Sequence, residues 1–259
     1  AMSTTNSLRK KVEKCLVANP ECPAIMLMHH GTLCVGESYE KAFEVADVLE
    51  QCCEKVIKDN YLRHSWDKEY SLTNKLNYFL KKNDSSSMPE RICDLGSSVR
   101  NGGAFTLTYD GGKKVDVDLG TGLGVNGVAP KCAKIHRAIY LSSSFTMIKH
   151  VADPSVVAYS ATGDTMLPMI DDFAQIVGLD VKNCPWIDGD TDACAKEIAK
   201  ALDGRNAVLI ESNGALVTGN SEGDMQALDI IMTKGCEAAI DCDIFNRPHY
   251  VPKAECFLM

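Results

Sequence analysis

The chain has 259 residues, of which 45% are hydrophobic and 24% are charged. That balance is typical of a globular protein with one large domain, or with one domain and part of another. The net charge of −8 argues against nucleic acid or an anionic membrane as the main partner, because either would need a basic surface. No apolar run approaches the length of a membrane span and the N-terminus lacks a signal-peptide core, so we expect a cytoplasmic protein.

The twelve cysteines do not predict a zinc or disulfide framework. No C-x-x-C pair occurs, and most cysteines lie within apolar helix or strand patterns, which favours reduced, buried thiols. The last four residues, 256–259, match the C-a-a-X pattern, but no polybasic run precedes them. Lipidation therefore stays a minor alternative.

The first predicted elements form a short unit. An amphipathic helix at residues 7–18 precedes a continuous apolar run at 24–28, which predicts a buried strand. A second strand at 32–35 leads into a long helix at 39–58. Residues 61–89 are predicted to hold a connecting helix and a linker rich in serine.

The predicted elements after the linker alternate strands and helices. A hairpin is expected around Asp110-Gly111-Gly112, then a glycine-rich stretch, a helix at 130–141 and a strand at 145–149. Short elements follow at 155–161 and 169–176, and an amphipathic helix at 192–202. Residues 122–127 spell G-x-G-x-x-G, but the preceding strand alternates apolar and acidic residues, unlike the first strand of a dinucleotide-binding unit.

A long-period repeat links the two ends of the chain. Ala24, Gly31, Leu33 and Gly36 recur as Ala207, Gly214, Leu216 and Gly219 at one offset, 207 − 24 = 183. The order of helix, strand, glycine turn, strand and helix recurs with them. A repeat of this period indicates a duplicated domain, since solenoid repeats run roughly 20–50 residues.

His30 is the sharpest candidate for chemistry. It ends the first strand directly before Gly31, at a strand mouth where an imidazole can reach a ligand or a metal. His29, which is expected on the opposite face of the strand, is the weaker candidate.

Residues 25–36 with the helix that follows resemble the C-terminal signature of the class II aldolase and adducin family, in which a strand ends in Asn-His-Gly. The resemblance continues more loosely through the helix around His136, the strand region 146–163 and residues 192–240. It implies an α/β fold, a three-layer α/β/α sandwich with a mixed, mostly antiparallel sheet. It also implies part of a first copy at 7–60, a near-complete copy at 90–245 and a tail at 246–259.

The resemblance further implies which site residues are altered. Family members bind a divalent metal, usually zinc, through three histidines, and a glutamate acts as the base. His30 matches one ligand in the first copy, and His150 matches one in the second. The other family positions are degenerate, with Ala152 replacing a histidine, Asn213 replacing the third, and Cys132 replacing the glutamate.

The leading interpretation is therefore a catalytically degenerate member with a structural, assembly or regulatory role and no required cofactor. One alternative is an active, metal-dependent sugar-phosphate aldolase or epimerase acting on a small phosphorylated sugar. In that case zinc is possible, with His30 and His150 as metal candidates that could share one ion. Another is an adducin-like interaction module. A homo-oligomer or an upstream aldolase-like domain is the expected partner.

Overall fold

The computed structural model describes residues 5–64, 90–187, 191–243, 245 and 249–257. The predicted linker therefore lies, beyond residue 64, outside the described residues, as does part of the predicted tail. The helices are α1 (Asn6–Ala18), α2 (Tyr39–His64), α3 (Ala133–Ser142), α4 (Pro154–Ser160), α5 (Asp171–Ile176), α6 (Thr191–Ala201), α7 (Glu222–Asp243) and α8 (Lys253–Cys256). The strands are β1 (Ala24–Leu27), β2 (Gly31–Cys34), β3 (Ser97–Asn101), β4 (Ala104–Tyr109), β5 (Lys113–Asp118), β6 (Met147–Val151), β7 (Asn183–Cys184), β8 (Ala207–Ile210) and β9 (Gly214–Gly219).

Seven strands form the main sheet in the order β5-β4-β3-β6-β9-β8-β7. All neighbouring pairs are antiparallel except β7 and β8, which are parallel. The predicted mixed, mostly antiparallel sheet is therefore confirmed. β3 and β7 carry no clear sequence signal, since β3 reads Ser-Ser-Val-Arg-Asn and β7 has only two residues.

Both faces of this sheet are covered because successive side chains of a strand point to opposite faces. In β8, Ala207 and Leu209 belong to the core beneath α4, α5 and α7. Val208 and Ile210 belong to the core beneath α3 and α6. All four residues of β8 are buried, as expected for a strand with helices on both sides. The result is the predicted three-layer α/β/α sandwich.

The first unit repeats the geometry of the last one. β1 and β2 pair in the register Ala24↔Cys34, and β8 and β9 in the register Ala207↔Val217, which are the same positions at the offset of 183. The following helices also begin at matching positions, Tyr39 and Glu222. The repeat therefore extends from sequence to backbone. The division into domains remains a prediction.

The expectation that residues 24–28 form a buried strand is wrong. β1 pairs only with β2 in a separate two-stranded sheet, and Met26 and Met28 are exposed. On α2, Phe43 and Val56 are exposed as well. An apolar run predicts burial only where a second layer covers it, and among the described residues no second sheet face lies over this unit.

The glycine-rich stretch is bound to the edge of the main sheet. Val125 N–H donates to Asp116 O at 2.7 Å, and Asp118 N–H donates to Leu123 O at 3.0 Å. Gly122 N–H also donates, to Asp118 O at 2.8 Å, so two of the N–H groups that a phosphate-binding loop would leave free are occupied. Within the described part of the chain, no helix is long and apolar enough to cross a bilayer.

Candidate functional site

The family positions of the second copy meet at one end of the main sheet. His150 lies in β6 opposite Leu216 of β9, so its side chain lies near the turn that joins β8 to β9 and carries Asn213. Cys132 directly precedes α3, and Ala152 directly follows β6. The family positions that the sequence singled out therefore lie near one another, and their functional role stays a prediction.

Both ring nitrogens of His150 have hydrogen-bond partners. Nδ1 lies 3.2 Å from the N–H of Leu95, and Nε2 lies 2.6 Å from the carbonyl oxygen of Asn213. These partners assign the neutral tautomer, in which Nε2 donates and Nδ1 accepts. Burial lowers the pKa of His150 and so keeps the ring neutral. The hydrogen bond to the Asn213 carbonyl acts in the opposite direction and is outweighed. The carboxylate of Asp94, 3.5 Å from Nδ1, is therefore a neighbour and not an ion-pair partner at neutral pH.

Asn213 is fully buried and is tied to the same segment. Its side-chain oxygen accepts the N–H of Cys93 at 3.0 Å, and its side-chain nitrogen donates to the sulfur of Cys93 at 3.5 Å. The amide carries its acceptor and its donor on one terminal group, so both bonds reach the same residue, whereas the two nitrogens of a histidine ring point in different directions.

The segment from Cys93 to Leu95 is the feature that sequence reasoning missed. Its backbone N–H groups bind the lone pairs of His150 Nδ1 and Asn213 Oδ1, two acceptor atoms that could otherwise face a ligand. Asp94 between them accepts the N–H of Gly96 at 3.0 Å and of Asp110 at 2.9 Å. Burial raises the pKa of Asp94, but these bonds outweigh it and lower the pKa overall. Main-chain donors leave no residue-type signal in a sequence.

Cys132 lines a cavity of about 240 Å³ next to this segment. Burial raises the pKa of the Cys132 thiol to about 12, so the side chain is a neutral thiol at neutral pH and a poor general base. The charged side chains that line the cavity are Asp94, Asp110 and Lys131. This lining offers no net positive charge to a phosphate group.

A second buried histidine, His136, supports the site from α3. Its Nδ1 lies 2.7 Å from the hydroxyl of Ser98, which is 2.8 Å from the hydroxyl of Tyr140, and its Nε2 lies 2.7 Å from Leu95 O. Burial lowers the pKa of His136 to about 4. The neutral ring thus holds the carbonyl of Leu95 while the N–H of Leu95 binds His150.

His30 lies at the contact between the first unit and α5. Its Nδ1 is 2.6 Å from the carboxylate of Asp171, and both side chains are buried. The backbone adds a second link, because Asp171 N–H donates to the carbonyl of His29 at 3.0 Å. His29 itself lies in a left-handed turn with φ of 67°, outside the strand on which it was expected. His30 and His150 therefore have different partners, and the structure does not bring them together.

We expect the His30→Ala variant to lower the free energy of unfolding by about 2 kcal/mol, the scale of a buried hydrogen bond to a charged group. A double-mutant cycle with Asp171→Ala, followed by urea denaturation, measures the coupling. The exposed ion pair of Lys41 and Glu44 is the matched control and should show much weaker coupling. Additive effects at positions 30 and 171 would contradict the assignment.

The residues present do not fit a catalytic zinc site. Such a site takes three protein ligands with free lone pairs, whereas His150 and Asn213 already accept backbone N–H groups. Across residues 5–64, 90–187 and the other described positions, no three His, Cys, Asp or Glu side chains are grouped so that they could hold a metal ion.

Comparisons with known proteins agree on one family. The class II aldolase and adducin N-terminal domain matches residues 1–57 and 104–240. Among solved structures, an L-fuculose 1-phosphate aldolase superposes with a TM-score of 0.56 at 20% identity, covering 71% of this chain and 91% of its own. YgbL from Klebsiella pneumoniae gives 0.55 at 20% identity, with 73% and 97% covered. YgbL from Escherichia coli gives 0.54 at 15%, with 80% and 98% covered. No curated protein matches the sequence.

Proposed function

Since the chain belongs to the class II aldolase and adducin family, we propose that it is a catalytically degenerate member with a structural, assembly or regulatory role. One observation carries the proposal. The backbone N–H groups of Cys93 and Leu95 bind the acceptor atoms of Asn213 and His150, so hydrogen bonds hold together the part of the fold at which relatives hold a metal.

The chemistry of the site supports the same conclusion. Aldol cleavage needs a base for proton transfer and an electrophile that stabilises the enediolate. Cys132, at the position of the family's glutamate, keeps its proton at neutral pH. His150 is neutral and shares both nitrogens with the backbone. Neither Cys132 nor His150 supplies the base or the electrophile in this state, which supports our proposal that the chain needs no metal cofactor.

The test is a cleavage assay with L-fuculose 1-phosphate and related phosphorylated ketoses, with and without added zinc. We expect no turnover above buffer and less than stoichiometric zinc in the purified protein by elemental analysis. A restored variant that combines Cys132→Glu, Ala152→His and Asn213→His serves as the positive control for metal uptake. Two results together would overturn the proposal in favour of an active aldolase or epimerase. The unmodified chain would show zinc-dependent cleavage, and a folded His150→Ala variant would lose it.

An interaction module of the adducin type is the second candidate function. The observation that favours it is the set of exposed large apolar side chains on the first unit, which includes Met26, Phe43, Val48 and Val56. Exposed apolar groups of this kind mark interaction surfaces.

A further inference from the structure

The first unit and the last one have the same backbone but opposite burial. Met26 is 69% exposed, whereas Leu209 at the matching position, 26 + 183 = 209, is 0% exposed. On the helices, Val48 is 60% and Val56 is 52% exposed, whereas their counterparts Ile231 and Ala239 are 7% and 4% exposed. The same structural unit is thus covered at one end of the chain and uncovered at the other.

The face of α2 that matches the buried face of α7 is half-buried to exposed, yet it retains the residue types of a buried face. The buried residues of α7 include Met225, Leu228, Gly235 and Ile240. At the offset of 183, every buried position of α7 corresponds to an apolar residue or a cysteine on α2: Ala42, Val45, Val48, Leu49, Cys52, Cys53, Val56 and Ile57. A solvated helix face would be expected to carry polar residues at several of these positions.

The outer edge of β2 is also open. Among the described residues, β2 pairs only with β1, whereas its counterpart β9 pairs with β8 on one side and with β6 on the other. Val35 N–H donates to Pro23 O, as Thr218 N–H does to Asn206 O. Because N–H groups of successive strand residues point to opposite edges, the N–H of Cys34 points to the open edge.

The last unit of the chain shows which elements cover the matching strand edge and helix face. There, β6 adds to the edge of β9 in the register Lys149↔Val217, and α4, which follows β6 directly, packs against α7. In the first unit, the position that matches Val217 is Cys34, because 217 − 183 = 34. The matching occupant is an antiparallel strand followed at once by a short apolar helix.

We propose that the open edge of β2 and the apolar face of α2 bind a strand followed by a short helix, similar to β6 and α4. A second polypeptide segment of the aldolase type supplies these two elements. A second copy of this chain does not offer that segment, because its β6 is already paired on both edges, with β3 and with β9. Strand addition supplies main-chain hydrogen bonds, and the helix covers the apolar face. This inference rests on the structural role proposed above and identifies the partner in that role. Binding and catalysis are measured in separate experiments.

The probe is a synthetic peptide with the sequence of residues 147–161, titrated into the full chain by fluorescence anisotropy. Two backbone-methylated peptides form a matched pair. His150 N–H donates to Gly96 O on the β3 side, so the N–H of Lys149 points to the β9 side and would meet β2. We expect methylation at Lys149 to weaken binding about tenfold, the size of one lost hydrogen bond at the interface, and methylation at His150 to weaken it less.

Variants of the full chain give an independent arm. Val48→Glu should abolish binding, whereas Gln51→Glu should leave it unchanged, because Gln51 and its counterpart Lys234 are exposed in both units. No saturable binding, or equal weakening by the two methylated peptides, would overturn the proposal. So would a concentration-dependent dimer, measured by sedimentation, that Val48→Glu dissociates, since a second copy would then be the occupant. Absence of turnover in the cleavage assay affects none of these readings.

Discussion

We expect Gly214→Ala to destabilise the protein by about 4 kcal/mol, through backbone strain and a steric clash together. Gly214 has φ of 91°, a conformation that residues with a Cβ rarely adopt. A Cβ at this position would lie 2.4 Å from the carbonyl oxygen of Val151, which belongs to the neighbouring strand β6 and cannot move away freely. Urea denaturation followed by circular dichroism measures the loss.

Gly31→Ala is the matched control for this prediction, because Gly31 lies at the same position of the first unit and has φ of 101°. A Cβ there meets no atom within 4 Å. The variant therefore carries only the strain of the left-handed backbone, about 1 to 2 kcal/mol. Equal losses in the two variants would show that contact with β6 does not contribute at Gly214.

The free energy of unfolding is expected to fall by on the order of 3 kcal/mol as the pH drops from above 6.5 towards 4. Burial lowers the pKa of His136 to about 4, whereas the unfolded chain binds the proton near the ordinary value of 6.5. Between these values the unfolded state binds more protons, so stability rises with pH in this window and is fully present above it. Burial lowers the pKa of His150 as well, which acts in the same direction.

Urea midpoints measured at several pH values from 7.5 to 4.5 test this dependence. The His136→Gln variant should flatten it, because glutamine preserves a donor towards Leu95 O without binding a proton. An unchanged slope in His136→Gln would assign the pH dependence to other groups.

The secondary structure was largely predictable because its signals are local. The hairpin at Asp110-Gly111-Gly112 joins β4 to β5 as expected, and the amphipathic helix predicted at 192–202 is observed as α6 at Thr191–Ala201. The predicted helix at 39–58 continues to His64. Strands β3 and β7 were not predicted, since they are defined by their neighbours in the sheet and not by an apolar period of their own.

The sequence predicted a candidate site from side chains, and its function stays a prediction. It singled out His150, Cys132 and Asn213 by residue type, and the fold places them near one end of the sheet. The N–H groups of Cys93 and Leu95 bind the acceptor atoms of Asn213 and His150. These groups belong to the main chain, and only the fold brings them to the two side chains. The metal candidates His30 and His150 stay predictions that elemental analysis can test.

The sequence by itself determined the alternation of helices and strands and the repeat at an offset of 183, because periodicity and spacing are properties of the chain alone. The family was expected from a resemblance and is shown by the match to its domain. Burial depends on what lies opposite, and only the tertiary structure decided it. Leu209 is covered and Met26 is not, although they occupy the same position in the repeat. The same packing decided that His30 meets Asp171, because contacts between distant segments follow from how the layers pack.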